Sequence, residues 1–524
     1  VAEAVVIGAG PNGLVAANLL ADRGWDVHVL EAAPTPGGAV RSEELIEPGF
    51  VNDVFSAFYP LAAASPVVQR LELERYGLVW KRAPIVMAHP ASDGTCPALS
   101  MDIDETAASL DALHPGDGDA WRALHARWER LRGGLIEGLF TPIPPIGATG
   151  KLLLGTRPDG PIRVARFALL PARRMATEHF QSEGARRLLG GSALHSDLAP
   201  DDVLSGFFGW ILNSLGQDVG WPVPEGGAAR LIDALVARLL AKGGRIECNM
   251  EVEKIVIRDR RAVAVRAGDR EIAATRAVLA DVDAPRLFLG LVGNEHLKPN
   301  VVADLRNFAW DHATVKIDWT LDGPIPWSAA AARRAGTVHV VESLDAMTEC
   351  ISHITRSLLP ARPFMIVGQQ SMTDPTRAPE GKETVWAYTH ISREVRGDAA
   401  GEIATPFDAG ACERFADRMQ AQIEALAPGF GALVRGRHVM RPSDLQRRNA
   451  NLNTGAINGG TGALYQQLVF RPIPGLGRPE TPIRGLFLAG SSAHPGGGVH
   501  GACGSNAARA AIAHDRVRRV TRRR

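Results

Sequence analysis

The stretch that most restricts how this chain can fold is its opening, where a strand, a glycine turn, a helix and a second strand follow one another without a gap. Ala4-Val5-Val6-Ile7 reads as a buried strand, Gly8-Ala9-Gly10-Pro11-Asn12-Gly13 as the turn, and Val27-His28-Val29-Leu30 as the second strand, which ends at Glu31. Each glycine answers a requirement of a bound dinucleotide. Gly8 permits the tight turn, Gly10 lets backbone approach a pyrophosphate, and Gly13 lets helix and strand pack closely. The helix starting near Asn12 aims its free N–H groups at the phosphates. Glu31, at the tip of the second strand, is placed to accept hydrogen bonds from an adenosine ribose.

Two further glycine clusters bear on which dinucleotide is held. Pro36-Gly37-Gly38-Ala39-Val40-Arg41 follows soon after Glu31 and lets the chain pass close to a second part of an extended cofactor, with Arg41 either pairing with a phosphate or fixing the loop. Near the other end, Arg484 to Gly490 reads as a buried strand. It leads through Ser491-Ser492-Ala493-His494-Pro495-Gly496-Gly497-Gly498-Val499-His500-Gly501 into a helical run over 506–514. A strand feeding a glycine loop that opens a helix is a second anion-accepting terminus. One cofactor long enough to touch both termini is FAD, its adenosine and pyrophosphate at the first and its ribityl chain and flavin at the second. A helix N-terminus beside the flavin would also stabilise the negative charge of the reduced ring.

With these motifs the chain resembles the phytoene desaturase-related flavoproteins, in particular the branch called phytoene dehydrogenase-like or pyridine nucleotide-disulfide oxidoreductase domain-containing. The resemblance rests on Gly8 to Gly13, Glu31, Gly37-Gly38, the run Gly220-Trp221-Pro222-Val223-Pro224-Glu225-Gly226-Gly227, and His494-Pro495-Gly496-Gly497-Gly498. It implies an α/β fold: a Rossmann-like FAD-binding domain of the glutathione-reductase/amine-oxidase type, with an inserted substrate domain of antiparallel sheet plus helices. It also implies cofactor contacts at Gly8, Gly10, Pro11, Asn12, Gly13, Glu31 and Ala32, at Gly37, Gly38, Ala39 and Arg41, and at Gly490, Ser491, His494, Gly498, Val499 and His500. The backbone at Val252 is expected to meet the adenine. The scaffold alone does not choose among desaturases, saturases, isomerases and amine oxidases.

The chain's 58 basic and 57 acidic residues nearly cancel, which gives no electrostatic case for nucleic acid. Its five cysteines, Cys96, Cys248, Cys350, Cys412 and Cys503, form no C-x-x-C pair, so a dithiol mechanism is not expected; reduced thiols point to the cytoplasm. No histidine spacing fits a metal hydrolase and no G-x-S-x-G elbow occurs. No run of about eighteen apolar residues suggests a transmembrane helix. The arginines of 516–524 form a basic tail, read as a solvated, disordered end or as an adhesive for anionic lipid, hence peripheral membrane contact.

The expected organisation interleaves two domains. FAD-binding segments cover 1–65, 221–285 and 473–515, substrate segments cover 66–220 and 286–472, and the tail covers 516–524. The first insertion reads as a helical cap, with 139–147 as a packed loop or the lip of a lipid entrance. The second supplies strands near 314–319, 364–367 and 384–388 and a helix over 407–426. A meander over 251–273, with turns at Arg260 and Gly268, precedes a separate strand over 276–280. No second strand-G-x-G-x-x-G-helix unit appears, so electrons are expected to leave to oxygen, a quinone or another external carrier.

The leading expectation is an FAD-dependent dehydrogenase or desaturase that takes hydride and a proton from a small hydrophobic substrate, isoprenoid or fatty-acyl. His500 is the candidate acid/base, or else a hydrogen-bonding brace; His195 and Tyr465 either reach the cavity from the insertions or, the favoured reading, are a satisfied core histidine and a packed tyrosine. Arg471 either orients a polar substrate end or braces the domain crossing. Alternatives are a reduced-flavin saturase or double-bond isomerase, a flavin amine oxidase, which needs an aromatic pair flanking the ring, and a non-catalytic carrier of lipidated partners.

Overall fold

The computed structural model describes residues 1–522. The chain opens with β1 (Ala2–Ile7), α1 (Pro11–Ala21) and β2 (Val27–Leu30). The first insertion contributes β3 (Ile85–Ala88), β4 (Ala98–Leu99) and the helices α2 (Asp117–Phe140), α3 (Ile146–Gly155), α4 (Pro161–Leu169), α5 (Glu183–Ala193) and α6 (Ser205–Val219). Then come α7 (Ala229–Ala241), β5 (Arg245–Glu247), β6 (Lys254–Arg258), β7 (Arg261–Ala267) and β8 (Arg270–Ala280). The second insertion carries β9 (Ala313–Leu321), β10 (Ala335–Val340), β11 (Met365–Gly368), β12 (Glu383–Ile391), α8 (Ala409–Leu426) and β13 (Val434–Met440). β14 (Leu486–Leu488) and α9 (Ala502–Arg522) close the series.

Two sheets organise these elements. The first runs β6-β7-β8-β1-β2-β5, with β14 pairing β8. Its β5, β2, β1, β8 and β14 are parallel neighbours, and Val5 aligns with His28 on one side and Val278 on the other. Burial on both faces explains why β1 is almost wholly apolar. The second sheet runs β13-β9-β12-β11-β10-β3-β4, mostly antiparallel. Its strands alternate an inner core face with a face that carries polar and aromatic side chains.

Three expectations change. The first insertion is not only a helical cap, because β3 and β4 extend the second insertion's sheet. The meander and the return strand are not separate: β8 pairs with β7 through Arg270–Ala273 and with β1 through its later residues. A continuous strand is possible because Ile272, Ala274, Ala277 and Val278 are all buried. The basic stretch is not an irregular tail up to Arg522, since α9 continues through it; Arg518 and Arg519 pair with Asp515 one turn back. Arg523 and Arg524 lie outside the described residues.

The Gly220–Gly227 motif lies where the two domains meet. Arg377 is wholly buried between Asp53 (2.9 Å) and Asp374 (2.8 Å) and donates to the Pro224 carbonyl. Asp374 also accepts from Gly226 N–H, and Asp53 from Ala228 N–H. Charged hydrogen bonds of this kind hold the crossing backbone in one geometry.

Candidate functional site

A single cavity of about 1010 Å³ touches both glycine loops and the face of the second sheet. At one end the walls are main chain. Gly8 has φ +93°, and a Cβ on Gly13 would stand 2.1 Å from the Gly8 carbonyl oxygen, so helix and strand meet only because that position is glycine. A Cβ on Gly38 would stand 2.9 Å from Gly10 Cα, which brings the two N-terminal glycine clusters against each other. Glu31 accepts hydrogen bonds from Ala9 N–H (2.7 Å) and Ala33 N–H (2.8 Å) while still lining the cavity.

The C-terminal loop meets this end directly. A Cβ on Gly504 would lie 1.9 Å from the Asn12 carbonyl oxygen, so α9 starts against the start of α1. The two helix N-termini therefore converge, as the spacing of the motifs requires.

Most of the expected cofactor contacts line this cavity: Gly8, Gly10, Pro11, Asn12, Glu31, Ala32, Gly38, Ala39, Arg41, Val252, Ser491, His494, Gly498, Val499 and His500. Gly13, Gly37 and Gly490 stand behind the wall. Gly37 N–H donates to Ala9, and Gly490 packs against Val282 backbone. Arg41 fixes its own loop, donating to the Gly38 and Thr35 carbonyls and to Thr35 Oγ1.

Asp281, at the C-terminal end of β8, lay outside the sequence reading. Its Oδ2 accepts from Gly13 N–H at 2.8 Å, and burial pushes its carboxyl up to about 7, against that bond. The signal for it was positional: the residue after a parallel strand's C-terminus faces the ligand crevice.

At the far end, Arg471 is buried and donates to the carbonyls of Asn458, Gly459, Thr461 and Ser491. It braces the domain crossing under the Gly496 loop. Asp311 accepts from the N–H groups of Ile457, Asn458 and Gly460, and Asp197 from Gly462 N–H and Thr461 Oγ1. These acids fasten the same loop, and burial raises the Asp311 carboxyl to about 6.

His500 is tied on both sides. Its Nδ1 accepts from Ala502 N–H (3.0 Å), which leaves the Nε2 hydrogen for the Gly496 carbonyl (3.2 Å). Burial lowers it to about 4. The ring thus takes the bracing role, with the cavity along its flank. Cys503 is wholly buried and does not line the cavity, and burial pushes its thiol up to about 12. Tyr465 points outward, 69% exposed, so it is neither the packed tyrosine of the favoured reading nor one that reaches the cavity.

The floor comes from the second sheet. Thr314 and Lys316 on β9, Trp386 and Tyr388 on β12, Ile366 on β11 and Thr337 on β10 all line the cavity. Lys316 Nζ lies 2.5 Å from both oxygens of Asp318, two residues along the same face, and both side chains are buried. Burial pulls the lysine down and lifts Asp318 to about 6, so desolvation drives both toward neutrality while the pair opposes it. The alternation Thr314-Val315-Lys316-Ile317-Asp318 in an apolar strand was a readable sign of it. The roof is apolar: Leu139 of α2 with Phe207, Phe208, Ile211 and Leu212 of α6. His195, just after α5, does reach the cavity, and its Nε2 lies 2.9 Å from Nε2 of His339 on β10.

Among the described residues no cluster of histidine, cysteine or acidic side chains could hold a metal ion, and no helix is long and apolar enough to cross a membrane.

Fold and site together define an oxidoreductase built on a Rossmann-like dinucleotide domain. A family model described as an NAD(P)-binding Rossmann-like domain matches residues 6–71. Within that class the chain is similar to the rat pyridine nucleotide-disulfide oxidoreductase domain-containing protein 2, 29% identical over 97% of this chain and 92% of that protein. It is similar also to the neurosporene-forming phytoene desaturase of Cereibacter sphaeroides, 23% identical over 98% and 95%. The resemblance drawn from the motifs is thereby borne out. Among solved structures, an oxidoreductase from Methanosarcina mazei shares the fold with a TM-score of 0.62 at 18% identity, covering 97% of this chain and 99% of that one. Cyclohexylamine oxidase from Brevibacterium oxydans does so at 0.57 and 17%, covering 98% of each.

Proposed function

We propose that this oxidoreductase is an FAD-dependent dehydrogenase or desaturase acting on a small hydrophobic substrate, isoprenoid or fatty-acyl. The observation that carries the reading is the one continuous cavity that joins two glycine-rich helix starts to an apolar roof. The residues fit FAD. Gly10 and Gly38 bring bare backbone together on the cavity wall where a Cβ on Gly38 would collide, and Asn12 Oδ1, which lines the same wall, is buried with no partner in the protein. Bound FAD would supply a two-electron acceptor.

The chain's own part is to bind, orient and exclude water. The starts of α1 and α9 turn their positive ends toward anionic portions of the cofactor, and Arg471 adds a buried positive charge beneath the second glycine loop. The roof on α6 keeps the reacting C–H bond dry and aligned over the sheet. Lys316, backed by the buried Asp318, forms a polar point on that floor able to hold a proton. The aromatic pair an amine oxidase needs is not favoured: Trp386 and Tyr388 stack on each other, 5.5 Å apart at 30°, which leaves no slot between them.

A peripheral lipid surface belongs to the same proposal. The helices α3 and α4 expose Ile146, Leu153, Leu154 and Ile162 beside Lys151, Arg157 and Arg163, and α3 packs on α2, which supplies Leu139 to the cavity wall. An external acceptor, whether oxygen, a quinone or a carrier protein, would take the electrons away.

The test starts with the purified protein's visible spectrum and the identity of the nucleotide released on denaturation. It continues with anaerobic reduction by terpenoid, fatty-acyl and amine compounds. Bleaching by a terpenoid or acyl compound, reversed by oxygen or quinone, is expected. A protein that stays colourless after refolding with FAD, or bleaching by amines alone, would defeat the proposal. Anaerobic turnover without any acceptor would move it to the saturase or isomerase alternative.

A further inference from the structure

The apolar part of the cavity contains one polar contact whose hydrogen-bonding sense is not fixed. His195 sits between Trp221, its ring 4.9 Å away and edge-on, and His339, with part of its own ring open to the cavity. Its Nε2 and the Nε2 of His339 are 2.9 Å apart. Behind them His89 packs edge-on against His339 at 4.5 Å. All three lie deep in the protein, and a Cβ on Gly191 would stand 2.4 Å from His89 and 2.8 Å from His339, so the fold gives up a side chain there to admit the rings. Apolar rings of the same size would pack without leaving Nδ1 of His89 and of His339 buried and unpartnered.

Two neutral imidazole nitrogens at hydrogen-bond distance must share one hydrogen between them. If His195 donates, its Nδ1 is a bare acceptor toward the cavity. If His339 donates, His195 Nδ1 carries the hydrogen and is a donor. The two arrangements are both neutral but differ at both Nδ1 atoms: when His339 becomes the donor, its own Nδ1 releases a proton and His195 Nδ1 takes one up by exchange with water or ligand, so what the cavity offers is reversed with no net change of charge. Burial keeps both rings neutral, holding His195 near 3 and His339 well below its ordinary range.

We infer that His195, set by His339, reads a single uncharged oxygen on the ligand, so that the hydrophobic substrate is an alcohol or ketone rather than a bare hydrocarbon or a cation. Here His195 is the contact and His339 the positioning residue. The inference rests on the proposed function only in assigning this cavity to substrate.

The test is binding of four matched probes to the holoprotein: tridecane, 1-dodecanol, 2-dodecanone and dodecylammonium. The readouts are tryptophan fluorescence, to which Trp221 contributes, and perturbation of the bound flavin's absorbance. One hydrogen bond predicts that the alcohol and the ketone each bind about ten-fold more tightly than the alkane. His195→Phe and His339→Phe should each erase that preference while leaving tridecane affinity within about three-fold. His339→Gln, which can still donate or accept, should restore it. The inference is overturned if wild-type protein binds tridecane as tightly as the alcohol, if only one of the two oxygenated probes is preferred, if dodecylammonium binds best, or if the preference survives in His195→Phe. Binding is read without turnover. A flavin that no compound reduces would thus defeat the functional proposal while leaving this preference measurable, and the reverse result would separate them equally.

Discussion

The two ends of the cavity are built by opposite means. The end at the N-terminal glycine clusters is made of main chain, its glycines letting amides and carbonyls come within contact distance of one another. The other end is made of side chains carrying charge or hydrogen-bonding capacity, Lys316 backed by Asp318 on one strand and His195 backed by His339. A wall of backbone presents the same donors whatever else the sequence does, which suits a cofactor that does not vary. A wall of side chains is retuned by single substitutions, which suits a substrate that differs between relatives sharing the scaffold.

The sharpest way to break this contrast is at the floor. Lys316→Met should cost about 3–5 kcal/mol in urea unfolding, because Asp318 is left as a buried unpaired acid. The double change Lys316→Met with Asp318→Leu should recover most of that loss, the sign that the charge and not the shape was at fault. At the backbone end, Gly13→Val should leave the sheet able to form but weaken FAD binding about 100-fold, read by cofactor retention on gel filtration, since its Cβ collides with the Gly8 carbonyl.

Asp281 tests whether any side chain intrudes on that backbone end. Its carboxyl is held up to about 7, so the folded chain keeps a proton there that the unfolded chain has released. Its contribution to stability is complete below about pH 4 and is lost as pH rises through about 7. A pyrophosphate placed against the ionised form is repelled. FAD affinity should therefore fall by about ten-fold between about pH 6 and pH 8.5, and Asp281→Asn should flatten the dependence in a fluorescence titration. The smallest effect concerns His500. With burial holding it near 4 and both nitrogens bonded to backbone, the pH profile of flavin reduction between about 6 and 8 should be the same in wild type and His500→Gln. A step near neutrality that disappears in the variant would return His500 to acid/base chemistry.

What could be read from sequence follows the same division. Gly8, Gly10, Gly13 and Glu31 are local, with spacing and flanking strands in one stretch, and the loop at Gly496–Gly498 announces its own helix. The floor is assembled across the chain. Nothing near His195 points to His339, because the partnership exists only once β10 is in the sheet and α5 lies across it. Asp281 and the pair Lys316–Asp318 were half-visible, one by its place at a strand's end and the other by alternation, yet their burial is a tertiary fact. β8 was split into two strands because the pairing partner changes from β7 to β1 partway along, and a change of partner leaves no mark on hydrophobic period.

The meeting of α1 and α9, where Gly504 lies against the Asn12 carbonyl, sets an order of events in the cell. A ribosome delivers β1 and α1 early, but β14 and α9 emerge after both insertions have been made. Until then the parallel sheet has an open edge along β8 and the first helix has a bare flank. Closure of the cavity between the two glycine loops must therefore wait for translation to pass β14, and a nascent chain stalled before Leu486 would display an aggregation-prone edge.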